Sequence, residues 1–117
     1  MIYDRTHEAW DVAGPFSCEF EVLPDNRYFP SPRDYAFCQY NPDTGHIRIG
    51  LAPKFLSASR SRQDALIRHE LGHAIDFIVP PPVLDGYAAN ANVVLSITPE
   101  RRADDIAYLV WGVPLRS

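Results

Sequence analysis

The sequence has little cysteine and no apolar run of membrane-spanning length, and both absences narrow the class of protein. Its 117 residues contain two cysteines, Cys18 and Cys38, too few for a disulfide-stapled scaffold. The two could pair across neighbouring strands, but we expect reduced, buried thiols. Neither belongs to a Cys-x-x-Cys pair, so we do not count them as metal ligands. No apolar run approaches the roughly 20 residues of a membrane-spanning helix, and the first residues lack the basic-then-apolar order of a secretory signal. We therefore expect a cytoplasmic protein without a membrane partner.

The sequence also lacks a dense run of lysine and arginine. Its net charge is −4, and the nearest approach to a basic cluster is Arg60, Arg62 and Arg68. Because nucleic acids and anionic lipids attract proteins through clustered positive charge, neither is an expected partner. A chain of this length can build one modest core. The sequence therefore predicts a single domain over residues 1–117.

Alternating apolar and polar residues predict three strands in the first half of the chain. Residues 1–14 have no clear period, and we expect an irregular lead-in there. The runs 16–22 and 46–51 alternate as half-buried strands do, a further strand is predicted at 35–40, and an Asn-Pro-Asp-Thr-Gly turn joins the last two runs into a hairpin. These patterns predict an antiparallel three-stranded sheet, in which the third strand offers an edge for an extended peptide.

The first predicted helix carries the most informative motif of the chain. Ser61-Arg62-Gln63-Asp64 is a capping-box pattern, and apolar residues with helical spacing follow it as far as about residue 79, where three prolines end the helix. On its opposite face lies the string His69-Glu70-Leu71-Gly72-His73. Residues four apart share a helix face, so both imidazoles can bind one metal ion beside Glu70. Gly72 is a poor helix former, so we expect another backbone or a ligand to approach the helix there.

A second helix is predicted after the segment 83–97, which has no clear assignment. Thr98-Pro99-Glu100 places an N-cap, a first-turn proline and a first-turn acid in the order in which helices begin, and Gly112 ends the segment. The expected fold class is α+β, with a small antiparallel sheet packed on the motif helix and on this carboxy-terminal helix.

The identity of a third metal ligand is open on residue type alone. A catalytic zinc ion usually has three protein ligands and leaves a fourth position for water. The candidates are two further histidines and several acids after the motif: His7, His46, Asp76, Asp85, Glu100, Asp104 and Asp105. Glu100 and Asp104 lie four apart, so both project from one face of the second helix. A metal-binding acid followed one turn later by an acid that orients a ligand histidine is a known way to build a two-shell site.

These motifs resemble those of known zinc peptidases. His-Glu-x-x-His followed by a helical Glu-x-x-x-Asp is the layout of the gluzincin metallopeptidases, and Glu100-Arg101-Arg102-Ala103-Asp104 is similar to a segment of the small ImmA/IrrE-like metallopeptidases. The resemblance covers about residues 61–111. The motif helix also resembles the start of the lethal-factor-like toxin peptidases, for which the chain offers no matching downstream segment.

The resemblance to the gluzincins implies a minimal zincin-like fold and zinc-dependent hydrolysis of a protein or peptide substrate. It implies that His69, His73 and Glu100 bind Zn²⁺ and that Glu70 is the general base. It also implies that Asp104 accepts a hydrogen bond from a ligand histidine, with His69 as the expected partner.

Two further questions stay open at this point. An oxyanion partner is usually needed in peptide hydrolysis, and Tyr87, Tyr108 and His46 are the candidates. The alternatives to an enzyme are a non-catalytic interaction module stabilised by a structural zinc ion, and an interaction protein in which the motif is coincidental.

Overall fold

The structure, a computed structural model that describes residues 2–31 and 33–112, has an α+β architecture. Its described residues form a three-stranded sheet and four α-helices: α1 Ile2–Ala13, β1 Cys18–Val22, β2 Ala36–Asn41, β3 His46–Leu51, α2 Arg60–Ile78, α3 Pro81–Asn90 and α4 Pro99–Trp111. Short 3₁₀ turns lie at Asn26–Tyr28 and Pro53–Ser57. Within the described ranges, every helix is too short or too polar to cross a lipid bilayer.

The sheet is mixed, so the expectation of an antiparallel sheet is wrong for one of its two pairings. β3 lies in the centre, antiparallel to β2 and parallel to β1. Val22 of β1 and Ala36 of β2 both pair with Leu51, so the connection between them passes around one end of β3. Ile47, Ile49 and Leu51 are buried, and a central position suits the most apolar strand. The edges of the sheet are therefore β1 and β2, and the expectation that the third strand is an edge is also wrong.

The strand order separates the two cysteines. Cys18 pairs with Ile47 and Cys38 with Ile49, so β3 lies between the two thiols. Strands two positions apart in a sheet are about 10 Å apart, beyond the roughly 7 Å over which two Cα atoms can be bridged by a disulfide. Both thiols are free, as predicted, but the two residues are half-buried rather than buried. Burial raises the pKa of Cys18 to about 12 and also raises the pKa of Cys38.

The motif helix α2 lies between the sheet and the other helices. Ser59 is its N-cap and accepts a hydrogen bond from the backbone N–H of Arg62, so α2 begins slightly earlier than the capping-box pattern predicts. Its end at Ile78, before the prolines, agrees with the prediction. One side of α2 packs on the sheet through Ile67, Leu71 and Ala74. The other side packs through Ile75 against the helical cluster Ala9, Val79, Leu84 and Ile106.

The amino-terminal segment is a helix, so the expectation of an irregular lead-in over residues 1–14 is wrong. α1 buries Thr6 and Ala9, whose spacing of three places them on one helix face. Arg5 donates hydrogen bonds to Asp64 of α2 and to Glu8, both at 2.8 Å. The buried side chains are small, although the segment as a whole is amphipathic. Tertiary contact with α2, rather than local pattern, stabilises this helix.

A further helix lies in the segment that the sequence leaves unassigned. α3 begins at Pro81 because the prolines that end α2 are well suited to the first turn of a new helix. It buries Leu84 and Ala88, which are four apart. The Asp85-Gly86 pair, a turn signal in isolation, lies inside this helix.

The last helix, α4, has the bounds that the sequence predicts. It begins at Pro99, directly after Thr98, and ends before Gly112. Gly112 has a φ of 67°, the left-handed conformation that glycine adopts without steric cost. Ala103, Ile106 and Ala107 form its buried stripe. α4 packs against α2, on the side away from the sheet.

Candidate metal centre

The two motif histidines lie side by side on α2. His69 and His73 are four residues apart, so a regular helix places them on one face. Their ring centroids are 4.8 Å apart, with the ring planes nearly perpendicular at 88°. Their side chains are only 16% and 14% exposed. Both rings are therefore held by packing at the boundary between α2 and solvent.

Glu100 reaches both histidines from the first turn of α4. Its Oε2 lies 2.8 Å from Nε2 of His69, and its Oε1 lies 3.1 Å from Nε2 of His73. The Glu100 side chain is 74% exposed. The two Nε2 atoms and one carboxylate thus converge at a place that is open to solvent on one side.

A close approach of two helix backbones makes this convergence possible. A Cβ atom at Gly72 would lie 2.3 Å from the backbone carbonyl oxygen of Ala103, so only glycine permits the observed crossing of α2 and α4. The prediction that another backbone approaches the helix at Gly72 is confirmed. Because Gly72 lies between the two histidines and Ala103 lies one turn after Glu100, the crossing point is at the site itself.

Two side-chain contacts between α2 and α4 flank the crossing. The Nδ1–H of His69 donates a hydrogen bond to Oδ1 of Asp104 at 2.7 Å, which is the predicted pairing. Nε2 of His69 faces a carboxylate oxygen of Glu100, so without a metal ion it donates there as well; a bound metal ion would take the place of this second proton while Nδ1 keeps its own. On the other side of the crossing, Nε of Arg102 donates to Oδ1 of Asp76 at 2.8 Å. Asp76 therefore forms a salt bridge and does not join the histidine cluster.

The pKa values of the two histidines in the cluster are shifted in opposite directions. Burial lowers the pKa of His69, but the negative charges of Glu70, Asp104 and Glu100 together raise it above its usual value. The pKa of His73 is lowered, by burial and by repulsion from His69. Burial raises the pKa of Glu100, but the two histidines outweigh it and the net pKa is lowered. Glu100 is thus a carboxylate in neutral solution.

Glu70 lies close enough to the cluster to interact with the charges of His69 and Glu100, and it also interacts with Cys38 on β2. The residue is 5% exposed, and burial raises the pKa of its carboxyl group to about 7. Its charge contributes, after burial, to the raised pKa of the Cys38 thiol on β2. Within residues 2–31 and 33–112, no hydrogen bond accounts for the position of this carboxyl group. A buried acid without such a bond, whose pKa lies close to neutral pH, is well suited to accept and release a proton.

The donor set of the cluster fits a divalent metal ion. One ligand atom from each of His69, His73 and Glu100 lies within 4.8 Å of the other two. In a tetrahedral site with bonds of about 2.0–2.2 Å, ligand atoms are separated by roughly 3.3 Å. The observed separations of 2.8 Å and 3.1 Å between Glu100 and the two Nε2 atoms are slightly shorter. The widest separation in the group is as much as 4.8 Å, so the side chains would have to readjust to surround an ion evenly.

The three candidate oxyanion partners are not brought into this cluster. His46 alternates with the buried Ile47 on β3, so it lies on the far face of the sheet, where its Nδ1 is 2.6 Å from Oγ of Ser17 and its Nε2 is 3.2 Å from Glu19. Tyr87 lies on α3 and lines a small cavity between α1, α3 and the second half of α4. Tyr108 follows Glu100 by two helical turns, about 12 Å along the axis of α4.

No pattern in the sequence indicated that Cys38 and Arg102 lie at the site. Cys38 borders Glu70 because β2 lies beside α2, and Arg102 reaches Asp76 because the helices cross at Gly72. Both contacts depend on packing between elements that are distant in sequence.

Comparisons of the chain with models of protein families, with curated proteins and with solved structures find no match, so a function must be argued from the chemistry of the site.

Proposed function

We propose that the protein is a zinc-dependent peptidase in which His69, His73 and Glu100 bind the metal ion and Glu70 is the general base. The observation that carries this proposal is the convergence of two Nε2 atoms and the Glu100 carboxylate, next to a buried acid with a pKa of about 7. Two imidazoles and a carboxylate form a ligand set known from catalytic zinc sites.

The role of Glu70 follows from its position and its pKa. A zinc ion bound by the cluster would polarise the carbonyl group of the substrate, lower the pKa of a water molecule and favour the ionised form of Glu70. The carboxylate of Glu70 accepts a proton from the attacking water and returns it to the departing amine. Asp104 keeps the His69 ring in one orientation and one tautomer by accepting its Nδ1 proton.

The sheet supplies a surface for the substrate. β2 is an edge strand that lies against α2, so its outer backbone groups are free to pair with an extended peptide. A groove of about 780 Å³ follows this edge and includes Cys38, the neighbour of Glu70. We infer a minimal zincin-like arrangement, in which the peptide lies along β2 with its carbonyl carbon near Glu70 and the metal ion.

One observation favours the alternative of a non-catalytic, zinc-stabilised module. The three proposed ligands come from α2 and α4, so a metal ion held there would also tether the two helices. A purely structural site is usually closed by four protein ligands, whereas the cluster found among residues 2–31 and 33–112 has three members and its acid is 74% exposed. Three ligands at a place exposed to solvent favour catalysis.

Metal analysis combined with hydrolysis of a peptide library tests the proposal. We expect one zinc ion per chain, hydrolysis that a chelator abolishes and added zinc restores, and loss of hydrolysis in Glu70→Gln with zinc still bound. Glu100→Ala should weaken zinc binding far more than the control Asp85→Ala on the exposed face of α3. Hydrolysis that survives Glu70→Gln, or a protein that does not bind zinc, would contradict the proposal.

A further inference from the structure

An aromatic pair lies at one end of the groove along β2. The rings of Tyr40 on β2 and Phe77 on α2 are stacked, with centroids 5.4 Å apart and an angle of 9° between their planes. Phe77 is 49% exposed, the exposure expected of a ring that is covered on one face only. Large apolar side chains left half open beside a groove commonly mark a binding surface. We refer to Tyr40 and Phe77 together as the aromatic shelf.

The shelf and the general base lie on the same side of α2. Phe77 follows Glu70 by seven residues, which is two helical turns, so both side chains project from nearly the same face of α2. On β2, Cys38 lies beside Glu70 and Tyr40 lies beside Phe77, and the two β2 residues share one face of the strand. The helix and the edge strand therefore run along each other from the base to the shelf.

The groove around the shelf is open, and its lining includes the apolar Pro42 as well as the basic side chains of His46 and Arg48. Asp76, the neighbour of Phe77, turns to the other side of α2 and is held by Arg102. The charge of Asp76 is thus kept away from the shelf.

We propose that the aromatic shelf is a specificity site that binds an aromatic side chain of the substrate, about three residues from the bond that is cleaved. This inference rests on the proposed peptidase function. A third ring placed on Phe77 extends an existing stack, an arrangement that aromatic side chains favour beyond simple area burial. The seven-residue separation from Glu70 corresponds to about 10 Å along α2, a length that about three residues of extended peptide span.

Paired peptides that differ at one position test the shelf. With the zinc-loaded protein, kcat/KM is measured for peptides that carry Phe or Ala at each of the four positions on either side of the cleaved bond. We expect a preference of about 10-fold for Phe at one position, two to four residues from that bond on one side only. Phe77→Ala should bring this ratio close to one, mainly by lowering kcat/KM for the Phe peptide. Phe77→Leu should lose most of the preference, because its side chain is apolar but has no ring.

The control is Leu56→Ala, which removes an apolar side chain of similar size that is 63% exposed and lies outside the groove. It should leave the Phe-to-Ala ratio unchanged. Hydrolysis with no preference at the two-to-four-residue positions, or a preference that survives Phe77→Ala, would overturn the shelf and leave the peptidase proposal standing.

A failure of the peptidase proposal is distinguishable from a failure of the shelf. If the zinc-loaded protein hydrolyses no peptide, the peptidase proposal fails, and the Kd of fluorescently labelled Phe and Ala peptides then tests the shelf directly. The same binding measurement can be made with Glu70→Gln. About 10-fold tighter binding of the Phe peptide, lost in Phe77→Ala, supports the shelf, and equal Kd values overturn it.

Discussion

Replacing Gly72 with alanine should push α4 away from α2 and weaken metal binding. The new Cβ atom would lie 2.3 Å from the carbonyl oxygen of Ala103, whereas ordinary contact begins at 3.4 Å. The two backbones must therefore separate by about 1 Å at this point. Because Glu100 lies one turn before Ala103 on α4, the same displacement moves its carboxylate away from the two histidines.

Two opposing effects set the size of the change in stability. Alanine is a better helix former than glycine by about 1 kcal/mol. Overpacking usually costs about 1–3 kcal/mol, and here the upper part of that range applies because the clash at Gly72 is with backbone, which moves only with the whole helix. We expect a net loss of about 1–2 kcal/mol in the free energy of unfolding. Zinc affinity should fall about 10- to 100-fold, as when a supporting contact of a metal ligand is lost.

Denaturant unfolding of the metal-free protein and zinc titration against a competing chelator measure the two effects. Gly86→Ala is the matched control, because it also lies within a helix but a Cβ atom there would contact nothing within 4 Å. That variant should gain up to about 1 kcal/mol and bind zinc as the wild type does. If Gly72→Ala is as stable as the wild type and binds zinc equally well, the close crossing does not position Glu100 and the reasoning is wrong.

Three further predictions concern single groups. Asp104→Asn should weaken zinc binding about 10- to 100-fold in the chelator titration, and Asp85→Asn should not; equal effects would contradict the role of Asp104 in orienting a ligand. In the metal-free protein, the pKa of Glu70 is raised from 4.5 to about 7, so the folded state keeps a proton that the unfolded state releases as pH rises between those values. The wild type therefore loses stability as pH rises through that window, whereas Glu70→Gln does not. From pH 4 to pH 8, the unfolding free energy of Glu70→Gln relative to that of the wild type should increase by about 3 kcal/mol. A pH-independent difference would refute the assignment. Burial raises the pKa of Cys18 to about 12 and also raises that of Cys38, so alkylation at pH 8 should be at least about 100-fold slower in native than in denatured protein, and similar rates would show that the thiols are exposed.

The parts of the fold that depend on local signals were predictable from the sequence. The bounds of β3 and α4 follow from alternation and from capping residues, and both agree with the structure. The parallel pairing of β1 with β3 has no local signal, because it depends on how the connection to β2 passes around the end of the sheet. The helix α1 was missed for a related reason. Its buried residues, such as Ala9, are small and find their partners on a distant helix.

The candidate site was also predictable only in the parts that depend on local signals. Helical spacing alone places His69 beside His73, and the glycine between them pointed to a close contact that the structure contains. The position of His46 could also have been deduced. It alternates with Ile47, whose side chain packs toward α2, so it had to lie on the opposite face of the sheet. The position of Phe77 beside Tyr40 could not be deduced, because it requires the orientation of α2 on the edge strand.

The rate of peptide hydrolysis, measured as zinc is added stepwise to metal-free protein, tests the central claim most directly. The wild type should gain activity in proportion to added zinc and reach a plateau at about one equivalent, the capacity of a single three-ligand site. Glu70→Gln should bind the same amount of zinc but hydrolyse at least about 100-fold more slowly, because it cannot accept the proton. Activity that is independent of zinc, or equal in the two proteins, would contradict the assignment of His69, His73 and Glu100 as ligands of a catalytic metal ion with Glu70 as its base.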